Sequence, residues 1–359
     1  MGEHQVTSPD LVSRPRLLIL LIKSYRLLIS RGPEFLVYKI LKSLKSLVLK
    51  KNIISSTKEH WDKEWARTQK QGTKLYWWDS PYVVSTVYKR ISPEIGNGVG
   101  SAAPVLLRKH FPDVKFSKAL SIGCGNGYKE MLLIEEGLVD NFDLFELSPK
   151  AIEIGKKKAK EIGIEDKITF NNFDPFKSTF DHKKYDLIHW NNSLHHMTNV
   201  TQALKISNDI LNSHGAIYIE DYVGASRFQW SSENLKIVNR LYKMLPENFK
   251  HDPLNPGFLL PKKILRPLAE DVTNSDPTEA TDSSNILLAV KKYFPKATIY
   301  PLGGAIFHPL LNQCIANFDE NNPDHLVWLK KILEVDELSM KDSKIAPHYA
   351  IAIGTKDSF

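Results

Sequence analysis

Short apolar runs alternate with helical segments from Lys118 to the end of the chain. This alternation is typical of a parallel sheet whose strands are joined by crossover helices. The runs that predict strands are 119–122, 142–145, 168–170, 185–190, 216–219, 297–300 and 349–354. We therefore expect an α/β fold, with a Rossmann-like sheet of seven strands and helices on both faces.

A second pattern, helical periodicity, marks the N-terminal region. After the Gly32-Pro33 break, apolar residues recur every three or four positions as far as Lys50, which predicts an amphipathic helix. Its apolar face consists of Val37, Ile40, Leu41, Leu44, Leu47 and Val48, and its cationic face of Lys39, Lys42, Lys45 and Lys50.

These patterns divide the chain into three parts. Residues 1–55 form a basic helical arm, residues 56–117 a helical cap, and residues 118–359 the main domain, with a helical insertion at 222–285 after the fifth strand. The cap is rich in aromatic residues, namely Trp61, Trp65, Tyr76, Trp77, Trp78, Tyr82 and Tyr88. Their helical spacing favours core packing over a site for a flat ligand.

The net charge of the chain, +7, lies entirely in the arm. Residues 1–51 contain ten Lys or Arg against three Asp or Glu, so the rest of the chain is neutral. Nucleic-acid enzymes usually concentrate cations around the catalytic cleft, so we expect no nucleic-acid partner. Residues 12–51 suit either an anionic membrane surface or packing against protein.

The arm and the cysteines indicate the compartment. The apolar run 17–22 is too short for a spanning helix, which needs about 20 largely apolar residues. Cys124 and Cys314 lie far apart, outside any metal-ligand motif, so a reducing environment is expected. We expect a cytoplasmic protein, peripheral at the inner membrane face if the arm binds lipid.

A glycine-rich turn, Gly123-Cys124-Gly125-Asn126-Gly127, follows the first predicted strand. Such a turn lets the backbone approach a ligand closely. Tyr128 stands where the dinucleotide fingerprint has its third glycine, which weakens the alternative of a nicotinamide-dependent oxidoreductase. Glu146 ends the second strand, where a carboxylate can accept hydrogen bonds from both hydroxyls of a ribose.

Four stretches follow one another between residues 118 and 221: SIGCGNG with Glu146, then Asp174, NNSLHHM and LNSHGAIYIED. As a set they resemble the motifs of class I S-adenosylmethionine-dependent methyltransferases. The resemblance implies S-adenosyl-L-methionine as cofactor, with the glycines on its methionine part, Glu146 on the ribose and Asp174 near the adenine amine. Ser121, which replaces an acid frequent in the family, and Asn191 complete the predicted cofactor site.

We therefore expect a methyltransferase, and the catalytic candidates follow the fourth and fifth strands. His195 and His196 have side chains suited to take a proton from an acceptor hydroxyl, with Asp221 as a further candidate base and Glu220 as an alternative. One histidine can instead pack under the cofactor. Adjacent histidines do not readily share a metal ion, and no HExxH pattern is present, so the sequence predicts no metal site.

The acceptor is the least determined part of the prediction. Arg227, Gln229 and Trp230 follow the sheet and either line an acceptor pocket or anchor the insertion. We expect a small or medium-sized acceptor, with O-methylation of a sugar or a similar glycan-pathway hydroxyl favoured. A non-catalytic, S-adenosylmethionine-binding or membrane-attached protein is the alternative. Asp276 or Thr278 is predicted to begin a helix.

Overall fold

The computed structural model describes residues 14–47, 74–95, 102–177, 184–341 and 345–356. The predicted aromatic residues Trp61 and Trp65 lie outside these ranges, as does Val48 of the predicted arm helix. Among the described residues, no helix is both long enough and apolar enough to cross a bilayer.

Seven strands form one mixed sheet, which confirms the predicted fold class. The strands are β1 (Phe116–Ile122), β2 (Val139–Phe145), β3 (Ile168–Asn171), β4 (Tyr185–Asn191), β5 (Leu211–Tyr222), β6 (Thr298–Gly303) and β7 (Tyr349–Thr355). Their order is β3-β2-β1-β4-β5-β7-β6, and β1 to β5 pair in parallel. β7 is antiparallel to both of its neighbours.

The α-helices of the described chain account for the arm, the cap, the crossovers and the insertion. The arm contains α1 (Arg14–Arg31) and α2 (Pro33–Leu47), and the cap α3 (Pro81–Lys89) and α4 (Ala102–His110). The others are α5 (Tyr128–Glu135), α6 (Pro149–Glu161), α7 (Val200–Ile210), α8 (Ser232–Met244), α9 (Ala269–Ser275), α10 (Ile286–Tyr293), α11 (Phe307–Leu311) and α12 (Pro323–Lys341).

Both faces of the sheet are covered, because successive strand residues point to opposite sides. Ala119 of β1 belongs to a core shared with α3, α4, α5 and α12, whereas Leu120 belongs to a second core shared with α7 and α10. The sheet therefore lies between two helical layers, and its strand ends are left free to carry side chains.

Two predicted local features differ in the structure. His214-Gly215, expected to precede the fifth strand, lies within β5, where a Cβ on Gly215 would meet the Leu211 side chain at 2.8 Å. The helix predicted to begin at Asp276 or Thr278 is absent from this described segment, since α9 ends at Ser275. The Asp276 carboxylate instead accepts hydrogen bonds from the Thr278 backbone N–H and hydroxyl, which makes a turn.

The arm packs on the insertion through three cations of α1. Arg31 pairs with Asp252, Arg26 donates to the Arg266 carbonyl, and Lys23 pairs with Asp271. The opposite side of the arm is apolar and exposed, at Leu20, Leu21, Tyr25, Leu28, Ile29, Val37 and Ile40. Val37 and Ile40 of the predicted apolar face of α2 are thus exposed, whereas Phe35 is buried.

Candidate active site

The sheet order creates a crevice at the carboxyl ends of β1 and β4. The chain runs outward from β1 to β3, then returns to place β4 on the other side of β1. Ligands of open α/β sheets bind at this change of direction. The glycine turn follows β1, and the His195 segment follows β4, so the fold places both predicted motifs at this crevice.

The glycine turn is held in a conformation that other residues adopt with difficulty. Gly123, Gly125 and Gly127 have φ of +67°, +60° and +71°. A Cβ on Gly123 would lie 2.9 Å from Ser193 Cβ, and one on Gly127 would lie 2.9 Å from Leu144 Cδ1. The turn therefore touches the loop after β4 directly, which leaves the backbone itself as the lining of the crevice.

Glu146 lies beside this turn, as predicted for a ribose-binding carboxylate. It is 8% exposed, and its carboxylate accepts from Gly125 N at 2.9 Å and from Ser148 N at 2.8 Å. Glu146 therefore fixes the turn through the backbone and places a carboxylate at the crevice.

Ser121 lies beneath the turn instead of lining the crevice. It is 1% exposed, and its hydroxyl donates to Glu130 at 2.8 Å. Glu130 also lies 2.9 Å from His189 Nδ1, and although burial opposes ionisation, these two partners lower the pKa of Glu130. The predicted cofactor contact of Ser121 is thus replaced by a buried Ser121–Glu130–His189 network, because the hydroxyl is already engaged.

The loop after β3 supplies Asp174 and an exposed ring. Asp174 Oδ1 accepts from Phe176 N at 3.0 Å, so part of the side chain makes the turn before Pro175. Phe173 is 46% exposed and lies edge-on to Phe145. The sequence analysis did not single out Phe173; its position one residue before Asp174 was the available signal.

His195 and Asp221 form a tight pair between β4 and β5. His195 Nδ1 lies 2.5 Å from Asp221 Oδ1, while Asp221 Oδ2 accepts from the backbone N–H of Ser193 and Leu194. Burial lowers the pKa of His195, but the charge and hydrogen bond of Asp221 outweigh burial and raise the pKa to about 9. Asp221 is fully buried, so it positions His195 and does not face a ligand.

The insertion brings a carboxylate to this pair. Glu279 Oε1 lies 3.6 Å from His195 Nε2, and burial raises the pKa of the Glu279 carboxyl. His196 turns its Nδ1 to the Thr278 hydroxyl at 3.1 Å, with Asp276 at 3.7 Å. Sequence spacing gave no signal for Glu279, because it reaches the site only when the insertion folds back.

Glu220, the alternative base, is occupied by two phenols. Tyr218 donates to its Oε2 at 2.6 Å, and Tyr88 of the cap donates to Oε1. Asn191 Nδ2 lies 3.4 Å from the same carboxylate, and Asn191 Oδ1 accepts from Lys129. These contacts make Glu220 a structural link between cap and sheet.

A cavity of about 1180 Å³ opens from this point, between the cap, the insertion and the C-terminal strands. Its polar end contains His195, Glu220 and Glu279. Its walls are mainly apolar and include Trp77, Tyr222, Phe228, Trp230, Leu260, Ile264, His308 and Tyr349. Trp77 is also 5% exposed and packs edge-on to Phe307, so the cap aromatics serve both the core and the cavity.

The three predicted acceptor residues have different positions. Trp230 lines the cavity and stacks on His348, with ring planes 17° apart. Arg227 instead donates to the backbone carbonyls of Asp276, Pro277 and Glu279. Gln229 donates to the Arg227 and Pro267 carbonyls. Trp230 thus lines the cavity, while Arg227 and Gln229 anchor the insertion that carries Glu279.

The arm reaches the far end of the cavity. Ser30 and Arg31 belong to its lining, and Lys262 N donates to the Ser30 carbonyl. The predicted choice between a membrane arm and a packed arm is therefore not exclusive, since one face packs and the other is exposed.

Residues 114–273 match a family described as a methyltransferase domain. No curated protein matches the sequence at a significant level. The solved plantazolicin methyltransferase BpumL in complex with SAH has 14% identity and a TM-score of 0.42, over 89% of this chain and 99% of that one. Phosphoethanolamine N-methyltransferase 2 of Haemonchus contortus has 12% identity and a TM-score of 0.47, over 85% of this chain and 60% of that one. Geranyl diphosphate C-methyltransferase of Streptomyces coelicolor A3(2) has 12% identity and a TM-score of 0.47, over 85% of this chain and 100% of that one.

Proposed function

We propose that this chain, whose residues 114–273 match a methyltransferase domain family, methylates a hydroxyl of an amphipathic acceptor, such as a sugar with an apolar portion. The observation that carries the proposal is a cavity whose polar end contains His195 and Glu279 and whose lining also includes Lys129, which follows the glycine turn, and Asn192, which follows β4.

The residues of the crevice fit S-adenosylmethionine. We assign its methionine part to the glycine turn, its ribose to Glu146 and its adenine to Phe173 and Asp174. The fit rests on the close approach that Gly123 and Gly127 allow and on the carboxylate of Glu146 beside the turn, a group that accepts hydrogen bonds from ribose hydroxyls. When bound, the cofactor supplies a methyl group activated by a sulfonium. Asn191 lies beside Lys129 and stays in the proposed cofactor site.

The cavity supports an acceptor larger than a simple metabolite. Ligand pockets commonly measure about 300 to 1,000 Å³, so this one has room for an extended molecule. Aromatic side chains such as Trp230 can stack on the apolar face of a sugar ring or on a hydrocarbon portion. The acceptor's reacting group would then face the polar end, where the acidic side chains are.

Glu279 is proposed to take the hydroxyl proton, and His195, whose pKa of about 9 keeps it protonated at neutral pH, lies beside it as a cation. Asp221 keeps the imidazole oriented, and the raised pKa of the Glu279 carboxyl makes its carboxylate a stronger base than a free one. We assign His196 to holding the Thr278 turn and through it Glu279. Alignment of the reactants supplies much of the rate in such transfers.

The test measures transfer of a labelled methyl group from S-adenosylmethionine to fractions of a cell extract. The labelled products are then treated with glycosidase or extracted with organic solvent. We expect label in a compound that is soluble in organic solvent and carries a hydroxyl. Glu279→Gln should lower the rate by about 100-fold or more, since it removes the proton acceptor and keeps the shape. The matched control is Glu153→Gln, an exposed glutamate on α6. Label found solely in amine products, or on nucleic acid, would contradict the proposal.

A second proposal concerns the arm: we infer that its exposed face inserts into an anionic membrane surface. Leu20, Leu21, Tyr25, Leu28 and Ile29 of α1 are each between 43% and 64% exposed. Contiguous apolar surface of this kind marks a site of contact with protein or lipid. Residues 1–51 contain ten Lys or Arg, of which Lys23, Arg26 and Arg31 contact the insertion; the other seven outnumber the three acidic residues, which favours anionic lipid as the occupant.

The test is co-sedimentation of the full chain with anionic and neutral vesicles at low and high salt. The triple change Leu20→Gln, Leu21→Gln and Leu28→Gln should reduce binding to anionic vesicles by about tenfold or more, because it removes apolar burial. The control changes three similarly exposed residues elsewhere, Leu288→Gln, Val327→Gln and Leu338→Gln. Equal binding by both triple variants would overturn the membrane proposal.

A further inference from the structure

The two adjacent histidines and Glu279 present their ligand atoms to one point. Rings of His195 and His196 lie 4.1 Å apart between centroids, on the same side of the chain. One ligand atom from each of His195, His196 and Glu279 lies within 4.8 Å of the others. The sequence argument that adjacent histidines do not readily share a metal ion therefore does not hold here.

The Nδ1 atoms of both histidines make contacts that are typical of metal-binding histidines. His195 Nδ1 is engaged by the buried Asp221 carboxylate, and His196 Nδ1 by the Thr278 hydroxyl with Asp276 behind it. A metal-ligating histidine nearly always has its second nitrogen held by a carboxylate, carbonyl or water, which fixes the ring and the tautomer. His195 Nε2, on the side of the ring away from Asp221, lies 3.6 Å from Glu279 Oε1.

The charges around the site also favour a cation. Asp221, Asp276 and Glu279 surround the two imidazoles, and the first two are at most 6% exposed. His195, with a pKa of about 9, is a cation within this cluster, and the guanidinium of Arg227 is directed to backbone carbonyls. Three carboxylates in one cluster favour binding of a divalent ion, which would displace the imidazolium proton of His195.

We propose that His195, His196 and Glu279 bind a divalent transition-metal ion of the zinc type. Two imidazoles and one carboxylate form the ligand set of open zinc sites, which keep a further position for water or substrate. Nitrogen and oxygen ligands at about 2.1 Å from an ion lie about 3.5 Å from one another, so the side chains would close by about 1 Å on binding. The open position faces the cavity that His195 and Glu279 line.

The catalytic role of the ion rests on the proposed function, whereas the binding of the ion to the chain does not. An acceptor hydroxyl on the open position would lose its proton to solvent, because the ion lowers the hydroxyl pKa. Its oxygen lone pair would then form the new bond to the methyl carbon as the carbon–sulfur electron pair returns to sulfur. The same side chains that handle the proton in the metal-free pair become ligands.

The experiment measures binding of Zn²⁺ by calorimetry and of Co²⁺ by visible absorption, on tag-free full-length protein first treated with chelator. We expect one ion per chain and a Co²⁺ spectrum of low coordination number. Glu279→Gln and His196→Gln should each weaken binding by about 100-fold, and Asp221→Asn by about tenfold. The control, His214→Gln, changes an exposed histidine on β5 and should leave binding unchanged.

Circular dichroism establishes that each variant is folded before its binding is compared. No ion bound by the wild-type chain, or binding that survives Glu279→Gln and His196→Gln together, would overturn the proposal. Methyl transfer is measured separately: a chelated enzyme that binds S-adenosylhomocysteine but regains transfer only with added ion supports the catalytic role. Transfer that is indifferent to chelation, with ion binding intact, would refute that role alone and leave the binding site established.

Discussion

The two ends of the candidate active site are built in different ways. The cofactor end consists of the glycine turn, Glu146 and the loop after β3, all within one continuous stretch of strands and turns. The acceptor end draws side chains from the arm, the cap, the insertion and β7, which are distant in sequence. One end is therefore made by backbone geometry that a motif can encode, the other by tertiary packing.

This difference determines how substitutions act at each end. At the cofactor end, a new Cβ or a lost carboxylate disturbs a turn whose atoms have no space to move. At the acceptor end, the walls are side chains of many elements, and the loss of one leaves most of the surface in place. We expect large, local effects at the first end and smaller, distributed effects at the second.

The largest expected effect is at Glu146. Glu146→Ala should weaken binding of S-adenosylhomocysteine by about 100-fold or more, since the charge-assisted hydrogen bonds that we propose to both ribose hydroxyls would be lost. It also releases the two backbone N–H groups of the turn. Isothermal calorimetry measures the change.

The matched control for this prediction is Glu153→Ala, which removes an exposed carboxylate from the helix that follows Glu146. Binding of the Glu146 variant within a few-fold of wild type would break the comparison, because the cofactor end would then tolerate loss of its central side chain.

A second prediction uses the buried histidines behind the acceptor cavity. Burial lowers the pKa of His348 to about 3, and both burial and His348 lower the pKa of His308. Each is neutral when folded and gains a proton on unfolding below pH about 6.5, so stability is present above that pH and is lost as pH falls. Between pH 6.5 and 5 we expect a loss of about 2 kcal/mol per histidine.

Urea unfolding of wild type and His348→Phe at several pH values measures this loss. The variant keeps an aromatic ring against Trp230 and should show a shallower fall in unfolding free energy with acid. His214→Gln is the control for removal of an exposed histidine. Parallel pH profiles for all three proteins would exclude the buried histidines as the source of acid sensitivity.

The smallest effect is expected at Trp230. Trp230→Ala should raise the acceptor KM by about tenfold, because it removes one aromatic wall and leaves the others. Affinity for S-adenosylhomocysteine should be unchanged. Trp328→Ala, on the remote α12, serves as the control for loss of a partly buried tryptophan. A fall in cofactor affinity with Trp230→Ala would show that the two ends are not independent.

Sequence reasoning predicted the sheet well because each strand of a parallel sheet carries its own apolar run. Ile122 and Phe145 end their strands where periodicity placed them, and β4 ends one residue later than predicted, at Asn191. The ends of β1 and β2 bring Gly123 and Glu146 together. Sequence reasoning did not predict the environment of Ser121, since nothing in the local sequence shows that Glu130 turns inward from α5. It also missed Glu279, whose position depends on Arg227 holding the folded insertion.

The arm shows the same limit in a different form. Periodicity correctly predicted a helix after Gly32, but the buried side chain is Phe35, and Val37 and Ile40 face outward. Periodicity defines faces and does not say which one meets the protein. Asp252 and Phe258 of the insertion decide that, through Arg31 and Phe35.

The position of Ser30 and Arg31 in the cavity wall has a thermodynamic consequence for regulation. Any ligand whose binding displaces the arm from the insertion changes the affinity for an acceptor in the cavity, because both events use the same side chains. Linkage is reciprocal, so the acceptor must alter the affinity of the arm for that ligand by the same factor. The arm is thus a site from which turnover can be modulated without any change to the crevice between β1 and β4.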